Sequence, residues 1–427
     1  MTLLSEKQRK PGYKSFLWNS IGGIVSAASS FVLLLCVTRT AGAAEGGIFS
    51  LAFATSQILL TIGKFGVRSY QATDVTGEIP FGIYLQTRIW FCLGMLLSTA
   101  FYVLCAGYDI RKAVIFLLVT VLKMADAVED VFHGQLQSLG YLDTAGKLLT
   151  VRNLFTMLLF GLCMLLSKDL LWACAISAAA GIGVTRLLNL AVTRQYTAVV
   201  ISFEKEKSLQ LLKACAPLFA GSFLSLYIYN APKYAIDLWG TEEEITYYSV
   251  LFMPTFVINL FSEFAFKPLL TVIASMWQSG EFRAFGRTVR KLIANVFVIG
   301  LVLTLGAWLA GAQILSWFYA VDITGYRGEL TLLMISGGLS AAVYLLYNVL
   351  TSMRRQKMII LNYLAAAVAV TALSCLLVEG FSVRGAAAAY FISEALLFLF
   401  MLAGISRAFR KGKKRNEDRN YNLSGDQ

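Results

Sequence analysis

AVIFLLVTVLKMADAVEDVFHGQLQ, residues 113–137, begins as an apolar run suited to a lipid bilayer and ends in a cluster of charge. Lys123, Asp126, Glu129, Asp130 and the chain's one histidine, His133, all fall between residues 123 and 137. At about 100° per residue, Lys123, Asp126, Asp130, His133 and Gln137 lie within roughly 80° of one another on a helix, and Glu129 widens the stripe to about 120°. Charges at membrane depth are costly, so they face a protein interior or a wet cavity and find partners there. The stretch therefore predicts a spanning helix with one charged, inward face, whose partners the rest of the chain must supply.

Composition supports the membrane setting. Of 427 residues, 57% are hydrophobic, and the mean hydropathy of +0.67 lies outside the range of soluble domains. The net charge of +12 does not describe a nucleic-acid surface, because the basic residues sit in short clusters between apolar runs. Seven cysteines lie mostly inside those runs without a C-x-x-C pair, which predicts buried thiols, no disulfide framework and no metal site. The first apolar segment is long enough to span and lacks a clear cleavage site, so it is expected to remain as a helix.

A spanning helix needs about 20 mainly apolar residues. Such segments occur at 16–38, 47–67, 85–106, 113–135, 143–166, 170–193, 210–234, 245–267, 288–311, 328–350, 358–378 and 384–406. Loop charges orient them. The N-terminal segment, the even-numbered gaps and the tail carry 26 lysines and arginines against 6 on the opposite side. By the positive-inside rule, both termini are cytoplasmic. The chain also repeats weakly at an offset of 199 residues, which aligns Glu45 with Glu244, Phe49 with Tyr248, Ser50 with Ser249, Phe53 with Phe252 and Lys64 with Glu263. Six helices per half make the halves parallel repeats about an axis along the membrane normal. The expected organisation is a cytoplasmic segment 1–15, an N-lobe 16–195, a charged linker 196–208, a C-lobe 209–407 and a basic tail 408–427.

SFLWNSIGGIVSAASSFVLLLCVTRTAGAAEGGIFSLAFA near the start and GKFGVRSYQATDV after it resemble the opening of bacterial polysaccharide flippases. These are the O-antigen and capsule exporters of the multidrug/oligosaccharidyl-lipid/polysaccharide exporter superfamily. EDVFHGQLQSLGYLDTAGK, YNAPKYAID and FMPTFVINLFSEFAFKPLL carry the resemblance further, to about residue 405. It implies a V-shaped, two-lobed, alternating-access transporter with a central cavity, in the bacterial cytoplasmic membrane. The implied cargo is an undecaprenyl-pyrophosphate-linked oligosaccharide, for surface polysaccharide biosynthesis. Other polysaccharide-assembly proteins are conceivable partners, without sequence support.

The placement of cations points to an anionic cargo. Lys64, Arg152 and Arg186 fall in the cytoplasmic third of their segments, while Arg39 ends the first segment and Lys233 the seventh on the outer side. Arginine grips phosphate oxygens through paired hydrogen bonds, and lysine acts as a mobile point charge. Arg39, Arg68 and Arg88 lie near helix ends, where snorkelling is cheap, and read first as topological anchors. Pro232 predicts a disturbed helix beside Lys233. The acidic stripe has three readings. Asp126 and Asp130 could pair with Lys123, Arg152 or Arg186 as an internal lock. With Glu129 or His133, they could bind a proton or sodium ion and couple transport to a gradient. Or they could contact sugar hydroxyls. Glu263 is a candidate gate partner for Lys64, and Glu394 is expected to serve packing in the C-lobe. No cofactor is expected. The tail, RAFRKGKKR, reads as an anchor for anionic lipids.

Rival functions are a multidrug or cation antiporter of the same superfamily, a peptidoglycan-precursor flippase and a membrane glycosyltransferase or polymerase. The first usually carries an acid within the membrane in its first or seventh helix, and the first segment here has none. The last needs a catalytic motif or a sizeable outer loop, and the sequence contains no H-E-x-x-H, G-x-S-x-G or P-loop, so no enzyme is expected.

Overall fold

The computed structural model describes residues 12–74, 78–202 and 204–425. The side chains of residues 73, 260, 261, 263–268, 270, 271 and 410–425 fall outside that description, and with them the gate assigned to Glu263 and most of the basic tail. Every regular element among the described residues is helical: α1 (Tyr13–Lys64), α2 (Val67–Thr73), α3 (Phe81–Ala106), α4 (Ile110–Ser138), α5 (Leu142–Ser167), α6 (Leu170–Thr193), α7 (Lys205–Trp239), α8 (Glu242–Gln278), α9 (Phe282–Gly306), α10 (Ala312–Tyr319), α11 (Arg327–Ser352) and α12 (Gln356–Gly425).

Two of these are too long for one crossing. The 52 residues of α1 would extend about 78 Å as a straight helix, against a hydrocarbon core of about 30 Å. Its helical conformation breaks at Gly42, where φ is 90° and ψ is −178°. The contacts show that the chain reverses there. Along the first arm, Gly22 and then Cys36 meet Gly146 and Gly161 of α5, so the two run in the same direction. Along the second arm, Glu45, Ser56 and Gly63 meet Arg111, Thr120 and Ala127 of α4. Because α4 and α5 are antiparallel, with Leu136 packed near Ala145 and Glu129 bonded to Arg152, the arms are antiparallel too. In the same way α12 breaks at Ser382 (φ 45°, ψ −125°), with Met358 against Gly404 and Asn362 donating to Met401 Sδ at 3.6 Å.

Eight helical stretches among the described residues are long and apolar enough to cross a membrane. Dividing the two broken ones and adding the charged α4 and the 37-residue α8 gives twelve crossing segments, in the places that hydropathy assigned. α9 continues through a π-helical turn, Ala307–Gly311, into α10. Arg327 closes that turn, donating from Nε to the Trp308 carbonyl and from Nη2 to the Leu309 carbonyl at 3.3 Å. α7 runs unbroken through Pro232, contrary to the disturbance expected there.

The helix starts are written in the sequence. Asp109 caps α4, accepting from the amides of Arg111 and Lys112 at 3.0 and 3.2 Å, and Asp169 caps α6 at Leu171. Thr241 and Glu244 form a reciprocal capping box at the start of α8. Large apolar side chains such as Leu104, Leu166, Leu187 and Trp317 point outward, while ionic groups point inward. That inversion of a soluble core suits a lipid solvent.

Contacts divide the chain into two compact units, Met1–Leu226 and Tyr227–Gln427, with the division inside α7. In unit 1, α1 and α5 cross backbone to backbone at Gly22 and Gly146: a Cβ on Gly146 would lie 2.5 Å from the Trp18 carbonyl carbon. The residues aligned by the 199-residue offset form an aromatic pair one helical turn apart in each unit. Phe49 and Phe53 hold their rings 5.7 Å apart in unit 1, and Tyr248 and Phe252 hold theirs 5.8 Å apart in unit 2.

Candidate functional site

The charged stripe of α4 is the centre of an ionic cluster inside unit 1. Asp109 starts the helix and the apolar face holds it against α3, α5, α6 and the second arm of α1, so the stripe points at their side chains. Arg152 of α5 donates from Nε to Glu129 Oε2 at 2.6 Å and from Nη2 to Asp126 Oδ1. The two carboxylates lie three residues apart on α4, a spacing one guanidinium can bridge. Lys123 Nζ donates to Asp126 Oδ2 at 3.0 Å and sits 4.2 Å from the centre of the Phe53 ring. Lower on the helix, Arg88 of α3 donates from Nη2 to Asp130 Oδ2 at 3.0 Å and from Nη1 to the Gly63 carbonyl at 2.6 Å. Arg68 reaches Asp130 Oδ1 at 3.6 Å and donates to Gln137 Oε1 through Nε and Nη2. His133 Nε2 stands 3.5 Å from Glu129 Oε1, longer than a normal hydrogen bond.

The structure thus brings together Lys123, Asp126, Glu129, Asp130, His133 and Arg152, all from the sequence expectation. It also supplies Arg88, which the sequence reading placed at the rim. Arg88 is 1% exposed and is an interior ion-pair partner, not a snorkelling anchor. Its signal was positional: it is the eighth residue of α3, two turns inside the helix.

The remaining expected cations are different. Lys64, half-buried at the end of α1, acts electrostatically on Asp126 and Asp130 yet has no carboxylate within 4.0 Å among the described residues. Arg186 on α6 is exposed and makes no ion pair among the described residues. Arg39 is exposed near the Gly42 break. Lys233 is half-buried on α7 in unit 2, without a carboxylate partner among the described residues. Around Asp126, Glu129 and Asp130, five cations gather: Lys64, Arg68, Arg88, Lys123 and Arg152. Among the described residues the cluster therefore has two more lysine and arginine side chains than carboxylates. It can hold itself rigid and still attract an anion. No group of histidine, cysteine and carboxylate side chains among the described residues could hold a metal ion.

Unit 2 has another kind of interior. Tyr229 of α7 is its junction: its hydroxyl meets Ser340 Oγ of α11 and accepts from Asn259 Nδ2 of α8 at 3.1 Å. Its ring lies 5.8 Å from Phe252 and 5.7 Å from Tyr390 of α12. Glu394, one turn beyond Tyr390, is 2% exposed.

No protein-family model matches the chain, and no curated protein matches it in sequence. Solved structures match it along almost its whole length. An inward-facing multidrug-resistance transporter of the MATE family, in the MOP superfamily, aligns over 94% of this chain and 99% of its own with a TM-score of 0.67 and 13% identity. The lipid II flippase MurJ, in an inward closed conformation, aligns over 91% and 90% with a TM-score of 0.67 and 12% identity. A MOP-superfamily transporter from Pyrococcus furiosus, described as having a binding pocket of reverse polarity, aligns over 92% and 94% with a TM-score of 0.58 and 14% identity. The chain has the fold of these transporters and flippases, a multi-pass membrane architecture.

Proposed function

We propose that this MOP-fold chain is a flippase that moves an undecaprenyl-pyrophosphate-linked oligosaccharide across the bacterial cytoplasmic membrane by alternating access. The observation that carries the reading is the charge surplus in unit 1: five cations around three carboxylates. A pyrophosphate diester carries about two negative charges at neutral pH and would balance that surplus. Arg152, Arg88 and Lys123 are engaged internally and act as the lock, the first of the three readings of the stripe. Lys64 and Arg186 are left to meet the head group, and Lys233 in unit 2 is a second candidate contact. The surplus disfavours the antiporter alternative, since it repels cationic drugs. A peptidoglycan-precursor flippase remains the nearer rival, because its cargo shares the pyrophosphate.

Deleting the gene should make a lipid-linked oligosaccharide accumulate on the cytoplasmic leaflet, and this chain should restore export. Rescue of a strain lacking its lipid II flippase would move the assignment to the peptidoglycan precursor, and active efflux of cationic dyes would sink it. Lys64→Ala should cost about 1.5–3 kcal/mol of head-group binding, about ten- to hundredfold in affinity. The measurement is undecaprenyl pyrophosphate binding to the protein in nanodiscs, with the melting temperature unchanged.

A further inference from the structure

The α4 carboxylates all have cations at hand, the nearest of them at 2.5 Å from Asp126, 2.6 Å from Glu129 and 3.0 Å from Asp130. Glu394 of α12 does not. It is 2% exposed, no lysine, arginine or histidine faces it among the described residues, and its Oε2 finds no hydrogen-bond donor. The titratable groups around it are all phenols. Tyr390, 0% exposed, precedes it by one turn on α12, Tyr229 faces it from α7, and Tyr248 of α8 lies behind Tyr390. From α11 the group presented to this cluster is the Ser340 hydroxyl, bonded to Tyr229. Phe252 closes the aromatic wall, 5.0 Å from Tyr390 and 5.8 Å from Tyr229.

An ionised carboxylate in such a place would lack both water and a countercharge, and that costs several kcal/mol. A neutral carboxylic acid is far cheaper there, and its O–H can donate to the surrounding hydroxyls. The cluster also touches α7, α8, α11 and α12 together, so the state of the acid is felt by four helices of the unit. We propose that Glu394 is the proton-binding site of unit 2 and that release of its proton requires the tyrosine cluster to open. Protonation then favours the closed packing, and exposure to an alkaline compartment favours the open one. This relocates ion coupling from the α4 stripe, where cations already satisfy the acids, to a group that no cation faces among the described residues. Only the link to transport rests on the flippase reading; the proton site itself needs no cargo.

The test is infrared difference spectroscopy of the full-length, cargo-free protein in lipid bilayers during a pH titration. The wild type should show a protonated-carboxyl carbonyl band at neutral pH that Glu394→Gln loses and Glu394→Asp shifts. An unchanged band in Glu394→Gln overturns the proposal. So does a Glu394→Gln protein that fails to fold, because the amide reproduces the shape and polarity of the neutral acid. Loss of the wild-type band on adding sodium at fixed pH, but not on adding a bulky organic cation, would assign the site to sodium instead. If deletion strains accumulate no lipid-linked sugar while the titrating band is present, the cargo reading fails and the proton site stands.

Discussion

Arg88 and Arg152 in unit 1 are almost fully enclosed and hold carboxylates of α4 with hydrogen bonds of 3.0 and 2.6 Å, whereas in unit 2 the helices meet at the hydroxyls of Tyr229 and Ser340, with one buried acid nearby. The two interiors solve the same problem, polar groups away from water, in opposite ways. An ion cluster is expensive to take apart, since removing one partner strands the other's charge. A hydroxyl junction exchanges partners at about 1 kcal/mol per bond. The difference assigns the units separate duties. Unit 1 is a stiff frame that displays a fixed positive surplus, and unit 2 is the softer body in which a proton can shift the packing.

The sharpest way to break this comparison is to remove the guanidinium that joins α5 to α4. Arg152→Met should destabilise the protein by about 3–5 kcal/mol, because Asp126 and Glu129 lose their shared partner while remaining buried. Thermal unfolding in detergent would read it, and a loss under about 1 kcal/mol would mean that unit 1 is no more ionic in its energetics than unit 2. Tyr229→Phe in unit 2 removes one hydroxyl from the junction and keeps the ring. Its expected cost is smaller, about 1–3 kcal/mol, and unfolding should then begin in unit 2, as followed by hydrogen exchange of α11 peptides. The rim pairs should matter least. Arg111 bonds Glu45 at 2.7 and 3.1 Å but is 41% exposed, and Arg384 bonds Glu329 at 2.7 Å while 71% exposed. Alanine at either arginine should cost about 0–1 kcal/mol, and less at high salt.

Much of this architecture was legible because the bilayer imposes one length and one polarity on every crossing. Hydropathy found α3 to α9, α11 and both arms of α1 and α12, and left α10 in the gap after residue 311. It did not show that the turns at Gly42 and Ser382 lack loops, since a reversal at a single non-helical residue leaves no polar gap to detect. The stripe of α4 announced itself by periodicity, and Arg152 by its place inside an apolar segment. Arg88 was misread because it lies close to a helix start, where depth alone cannot separate a snorkelling arginine from a buried one; Asp130, 42 residues away, decides it. Glu394 was set aside as packing. That no cation faces it among the described residues is a property of the packed helices, not of the local sequence.

The clustered charge of α4 also governs how the protein can be made. Lys123, Asp126, Glu129 and Asp130 stand in one segment, and each charge near the centre of a helix opposes insertion by about 2.5–3.5 kcal/mol. The apolar first half cannot outweigh four of them. The countercharges are Arg88, on the segment synthesised before α4, and Arg152, on the segment synthesised after it. Insertion of α4 is therefore expected to be inefficient until α5 supplies Arg152, so a chain truncated before α5 should integrate α4 less well than one that includes it.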